Sequence, residues 1–86
     1  MFPPIFNGRR KRELIIAALT EGPAYGLEVI DRVKRNTGGR VVLTYAVYPI
    51  LRELEREGVA RCWEGPPLPG RDDRPMVYYA LVERPN

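Results

Sequence analysis

The chain contains no histidine and only one cysteine, Cys62. Without histidine it lacks the commonest general acid–base group and the commonest neutral metal ligand. One thiol cannot close an internal disulfide, and a zinc site would have to be built from carboxylates, which do not cluster suitably here. Cys62 itself is expected as an inert small hydrophobe in or near the core. Long apolar runs are missing too. Stretches such as Leu14 to Leu19 and Val41 to Leu43 fall far short of the roughly 20 residues that cross a bilayer. No apolar segment with a cleavage site follows the basic N-terminus, so nothing resembles a secretory signal. These absences lead us to expect a cytoplasmic chain with no cofactor, no metal and no membrane partner. Carboxylate chemistry is the one enzymatic class that composition leaves open, and no constellation supports it. The expectation is a protein that is not an enzyme.

What is present is ordinary globular composition with a basic bias. The 86 residues are 44% hydrophobic and 29% charged, enough for one domain with one core. Net charge is +3 and the sequence pI about 9.4. The charge is uneven: residues 1–40 hold eight Lys or Arg against four acids, residues 41–86 six against seven. Twelve of the fourteen basic residues are arginine, whose planar fork suits phosphates and base edges. A GC-rich genome produces the same enrichment, so composition is compatible with nucleic-acid binding without establishing it.

Periodicity and punctuation divide the chain. Residues 1–8 (MFPPIFNG) read as an extended arm, because Pro3 and Pro4 forbid a regular helix. Residues 9–83 form the domain. A first helix is predicted from about Arg9 to Thr20, burying Leu14, Ile15, Ala18 and Leu19, and Glu21-Gly22-Pro23 ends it. A second runs from about Tyr25 to Arg35, with Leu27, Ile30 and Val33 inward and Glu28, Asp31, Arg32 and Arg35 outward. Val41-Val42-Leu43 is β-branched and reads as a short strand. The third helix spans about Thr44 to Glu57, with Thr44 as N-cap, Val47, Ile50, Leu51 and Leu54 as core stripe, and Gly58 as the stop. Two strands, Val59 to Glu64 and Met76 to Val82, flank a connector rich in Pro, Gly and charge that reads as a solvated loop. Three helices, a hairpin and a possible further strand give an α+β, winged helix-turn-helix topology with a two- or three-stranded β-wing.

A helix-turn-helix holds its second helix rigidly so that this helix can enter the major groove of double-stranded DNA. Here that recognition helix is the third of the domain. With its stripe in the core, Thr44, Tyr45, Tyr48 and Arg52 project elsewhere. Their hydroxyls and the guanidinium suit phosphates or bases. The structural alternative is that Tyr48 is partly core and that Arg52 and Arg56 pair with Glu55 and nearby acids. Arg71 and Arg74 at the wing tip are candidates for phosphate or minor-groove contact, unless Asp72 and Asp73 neutralise them. Arg9, Arg10, Lys11 and Arg12 either lie along a phosphate strand or form a solvated face.

The segments Glu21-Gly-Pro-Ala-Tyr-Gly-Leu-Glu-Val-Ile30, Thr37-Gly-Gly-Arg40, Val47-Tyr-Pro-Ile-Leu-Arg-Glu-Leu-Glu-Arg-Glu-Gly58 and Val77-Tyr-Tyr-Ala-Leu81 together resemble the PadR family of transcriptional regulators. The resemblance covers about residues 13–83. It implies a winged-helix repressor that binds an inverted-repeat operator as a homodimer. Thr44, Tyr45 and Tyr48 then match the recognition helix, and Arg74 lies near the basic wing segment. Tyr25 falls where the positioning helix approaches the DNA backbone. Three departures stand out. Family members usually continue into C-terminal helices that dimerise and shape an effector pocket, whereas this sequence ends at Asn86. The wing tip is longer and richer in proline, and Thr44-Tyr45 stands where small residues are common. Whether a small-molecule effector binds is left open, and the apolar arm (Phe2, Ile5, Phe6) is an alternative dimer surface. A second functional reading is a winged-helix module that docks a protein partner without specific DNA binding.

Overall fold

The computed structural model describes residues 8–67, 70 and 75–82. The first helix, α1, spans Gly8–Leu19 and buries Ile15, Ala18 and Leu19, the spacing that puts residues on one helical face. The arm expected over residues 1–8 lies, apart from the helical Gly8, outside the described residues. No acid occupies the first turn of α1, so its basic start opposes the helix dipole.

After α1 the chain forms a two-residue strand, β1 (Ala24–Tyr25), and then α2 (Gly26–Asn36). Glu28 reaches back so that its Oε1 accepts the Tyr25 backbone N–H at 3.2 Å, half of a capping box. Val29 and Val33 are fully buried. Leu27, expected inward, is instead 45% exposed. The stripe of α2 begins at Gly26 and continues through Val29 and Val33, which turns Leu27 out toward the wing.

Arg32, expected on the outer face, is half-buried and binds backbone. Its Nη1 donates to the Ala18 and Gly22 carbonyls (3.2 and 2.7 Å) and its Nη2 to that of Pro23 (3.2 Å). It thereby satisfies carbonyls at and beyond the C-terminus of α1 that the helix cannot bond itself. Arg35 also bonds to Glu21, whose other carboxylate oxygen accepts from Asn36 Nδ2 at 3.0 Å. These bonds hold its carboxyl below the ordinary glutamate range, the Asn36 bond contributing most and Arg35 next.

Val41 and Leu43 are buried and Val42 is exposed, the alternation of a strand. No strand forms there, however, because the strands of the sheet lie elsewhere in the chain. The buried side chains make the segment a fixed loop, anchored where the Val41 N–H donates to Thr37 Oγ1 (3.1 Å). Helix α3 covers Val47–Arg56, three residues later than the expected start. Thr44 is not its cap. A turn precedes it, in which the Val47 and Tyr48 N–H groups donate to the Thr44 and Tyr45 carbonyls. Val47, Leu51 and Leu54 are fully buried. At its end the Val59 and Gly58 N–H groups donate to the Leu54 and Glu55 carbonyls. This closure needs a left-handed residue, met by Gly58 at φ 78°.

Strands β2 (Ala60–Gly65) and β3 (Met76–Leu81) pair antiparallel from Ala60↔Leu81 to Gly65↔Met76, and β1 joins the other edge of β3. Together they make a winged helix of three helices and a three-stranded sheet. The core-facing side of the sheet buries Ala24, Ala60 and Tyr79. Cys62 pairs with Tyr79 in register but is exposed, contrary to expectation, because β2 extends past the helices that cover its start. Across the other face runs a row of rings. Tyr25 meets Tyr78 edge-on (5.8 Å), Tyr78 stacks with Trp63 (6.1 Å), and Arg61 lies over Trp63 at 4.6 Å. Among the described residues no helix is long and apolar enough to cross a membrane.

Candidate nucleic-acid interface

The outward side of α3 is set by its inward one. With Val47, Leu51 and Leu54 locked in the core, a rotation of 100° per residue turns Pro49, Arg52 and Arg56 to solvent. Tyr45, in the turn before the helix, is 85% exposed and stands at its tip. Thr44 is exposed next to it.

Tyr48 behaves differently, as its structural alternative anticipated. It is half-buried and lies across Gly26, so close that a Cβ there would meet its Cε1 at 2.5 Å and its hydroxyl oxygen at 2.9 Å. The contact joins α3 to the N-terminus of α2. Tyr25, Gly26, Leu27, Tyr48 and Arg52 then form one side of a groove of about 420 Å³, completed by residues 75–77 and Tyr79 of the wing. Three residues singled out in the sequence (Tyr25, Tyr48 and Arg52) are thus brought to one place. Leu27 and Val77, 45% and 43% exposed, add an apolar patch to the same groove. Sequence reading finds neither, and it assigns Leu27 to the core. Burial pushes the Tyr79 phenol up from its ordinary range; Cys62 adds to the shift and Arg52 opposes it. The Tyr79 hydroxyl therefore stays protonated at neutral pH and can donate.

The charge on α3 divides between its two flanks. Arg12 of α1 donates to Glu57 Oε1 at 2.5 Å and lies 3.6 Å from Glu53 Oε1. Glu53 and Glu57 are therefore held by α1 and not by their neighbours on α3. Arg52 and Arg56 form no ion pair among the described residues, which removes the pairing alternative there. Arg12, part of the N-terminal basic run, is consequently occupied inside the fold. Arg9 and Arg10 lie in the first turn of α1, with Arg10 exposed. Thr44 borders a separate groove on the α1 side of α3. Arg71 and Arg74 lie outside the described residues.

No group of three or more potential metal ligands occurs among the described residues. The arrangement offers chemistry of a different kind: an exposed helix face with cationic and phenolic groups, flanked by a wing.

Comparison with known proteins places this geometry in context. A family model described as "Transcriptional regulator PadR-like family" matches residues 15–84. Among solved structures, a transcriptional regulator from Clostridium thermocellum is 22% identical with a TM-score of 0.68, over 83% of this chain and 66% of that one. Diamide-treated YodB from B. subtilis is 25% identical with a TM-score of 0.65, over 88% and 64%. Pex from Synechococcus sp. is 24% identical with a TM-score of 0.66, over 87% and 69%. The chain therefore spans about two thirds of the length of these proteins. Comparison with curated proteins found no match.

Proposed function

Because the chain belongs to the PadR-like family of transcriptional regulators, we propose that it binds double-stranded DNA sequence-specifically. On this reading it acts in the cytoplasm as a homodimer on an inverted-repeat operator and represses by occupying it. The recognition helix enters the major groove with Tyr45 and Arg52 toward base edges. Tyr25 and Tyr48 meet the phosphate backbone beside it, and Arg9, Arg10, Arg71 and Arg74 add contacts from the α1 end and the wing tip. Thr44 lies at the helix tip, within reach of either. The chain performs no catalysis and needs no cofactor.

The observation that carries this reading is the division of α3. Its inward stripe is fully buried, and its outward side presents Tyr45, Arg52 and Arg56 with neither guanidinium in an ion pair among the described residues. An exposed arginine beside phenols, held on a rigid helix, is what forked recognition of guanine or phosphate requires. In a dimer the two such helices would address half-sites about 34 Å apart, or a multiple of it.

Selection of bound sites from randomised duplexes tests the proposal. The expected winner is palindromic, and its affinity falls steeply and linearly in log–log form with salt. A protein-docking module would instead enrich no site and show no such slope, and that outcome would overturn the proposal.

A further inference from the structure

Helix α3 has two unlike flanks. One faces α2 and the wing and carries the Tyr48–Arg52 groove. The other faces α1, and there a second open groove of about 270 Å³ is lined by Lys11, Arg40, the loop residues 41–44 and Ala46. Lys11 comes from α1 and Arg40 from the α2–α3 loop, yet the fold brings both to the rim of one groove at the N-terminal end of α3. Neither forms an ion pair among the described residues. The rim is firm. Val41 and Leu43 are buried beneath it, and Thr37 Oγ1 holds the Val41 N–H. The acids that share this flank, Glu53 and Glu57, are engaged by Arg12. Its remaining charge is therefore positive.

A helix inserted in a major groove about 12 Å wide has a phosphate strand on each side. Tyr25 and Tyr48, which share the groove on the other flank, face only one of them. We infer that Lys11 and Arg40 form a second phosphate clamp, which holds the duplex strand on the α1 side of α3. The clamp rests on the DNA-binding reading above and extends it to the opposite strand. An ammonium and a guanidinium at a groove rim recognise backbone charge and carry no base preference, so they supply affinity and register while Tyr45 and Arg52 choose the sequence.

The test is a salt titration of duplex binding by the wild-type chain, by Lys11→Gln, Arg40→Gln and the double variant, and by Lys34→Gln. Lys34 is an exposed cation in the last turn of α2 that lines neither groove, and it controls for net charge alone. In the homodimer each clamp variant removes two phosphate contacts, so it should reduce the log–log salt slope by about 1.8, and the double variant by about 3.6. Affinity for the selected site and for a scrambled duplex should fall by the same factor, leaving their ratio unchanged. Ethylation interference should disappear from phosphates of one strand in each half-site, the two sets related by the operator's two-fold axis. Circular dichroism melting confirms that each variant is folded. If the wild type binds with a clear salt slope and the double variant keeps that slope, or loses no more than Lys34→Gln, the clamp is refuted and the DNA reading stands. If the wild type itself shows no salt-dependent duplex binding, both fall.

Discussion

Replacing Gly26 by alanine probes the joint between the two helices of the motif. The added Cβ would lie 2.5 Å from Tyr48 Cε1, 2.9 Å from Cζ and 2.9 Å from the hydroxyl oxygen, against an optimal separation of about 3.5–4.0 Å between carbons. Gly26 is in helical conformation and its backbone is fixed by β1 and α2, so the ring must yield. Tyr48 is half-buried and can swing outward. Overpacking of this kind costs about 1–3 kcal/mol, offset in part by the better helix propensity of alanine, worth up to about 1 kcal/mol. The expected net loss is about 1–2 kcal/mol, or roughly 4–15 °C in Tm for a domain of this size. In a Tyr48→Ala background the obstructing atoms are gone, and Gly26→Ala should become neutral or slightly stabilising. Urea denaturation of the four proteins followed by circular dichroism measures this coupling, expected to exceed about 1 kcal/mol. An equal cost for Gly26→Ala in both backgrounds would refute the proposed seat of the ring.

Four further outcomes follow from the packing and contacts of the fold. Leu51→Ala, at a position with no solvent exposure, should cost about 2–5 kcal/mol by denaturant titration. Arg32→Ala removes three bonds to backbone carbonyls and should cost about 1–2 kcal/mol after allowance for partial exposure. By contrast, Arg56→Ala on the open face should stay within about 0.5 kcal/mol. Glu21 has a carboxyl that titrates lower in the folded chain than in the unfolded one. Its contribution is therefore complete above the ordinary glutamate value of about 4.3 and is lost as pH falls through the folded value. Melting curves from pH 7 to 3 should show the gap between wild type and Glu21→Gln closing on acidification; a constant gap contradicts the assignment.

The helices were legible in the sequence because their apolar spacing is strong and glycines mark their ends. The stripes of α1 and α3 needed only Ile15, Ala18 and Leu19, or Val47, Leu51 and Leu54, to fix their phase. Helix α2 was harder. Leu27 is the larger hydrophobe and drew the reading outward by one position, although Val29 is the residue in the core. The third strand was misplaced for a related reason. Val41-Val42-Leu43 has strand composition and strand alternation, but a strand also needs a partner edge, and pairing across the chain is invisible to local pattern. That edge is taken by Ala24 and Tyr25, two residues that carry no periodic signal. Of the candidate site, Tyr48 and Arg52 are legible from helix phase and residue type and Tyr25 from the family resemblance, and the three converge in the structure. The meeting of Lys11 with Arg40, and the use of Arg12 and Arg32 inside the fold, depend on tertiary placement that residue type alone does not encode.

The central claim is that the outward side of α3 reads a duplex. The most direct measurement is the ratio of affinities for the selected site and a scrambled duplex at fixed salt, for wild type, Tyr45→Ala and Arg52→Ala. Both positions are exposed, so both variants should keep the wild-type melting curve. The account predicts that the ratio falls about tenfold or more for Arg52→Ala, as loss of a bidentate base contact requires, and falls measurably for Tyr45→Ala. Two folded variants with the wild-type ratio would contradict it.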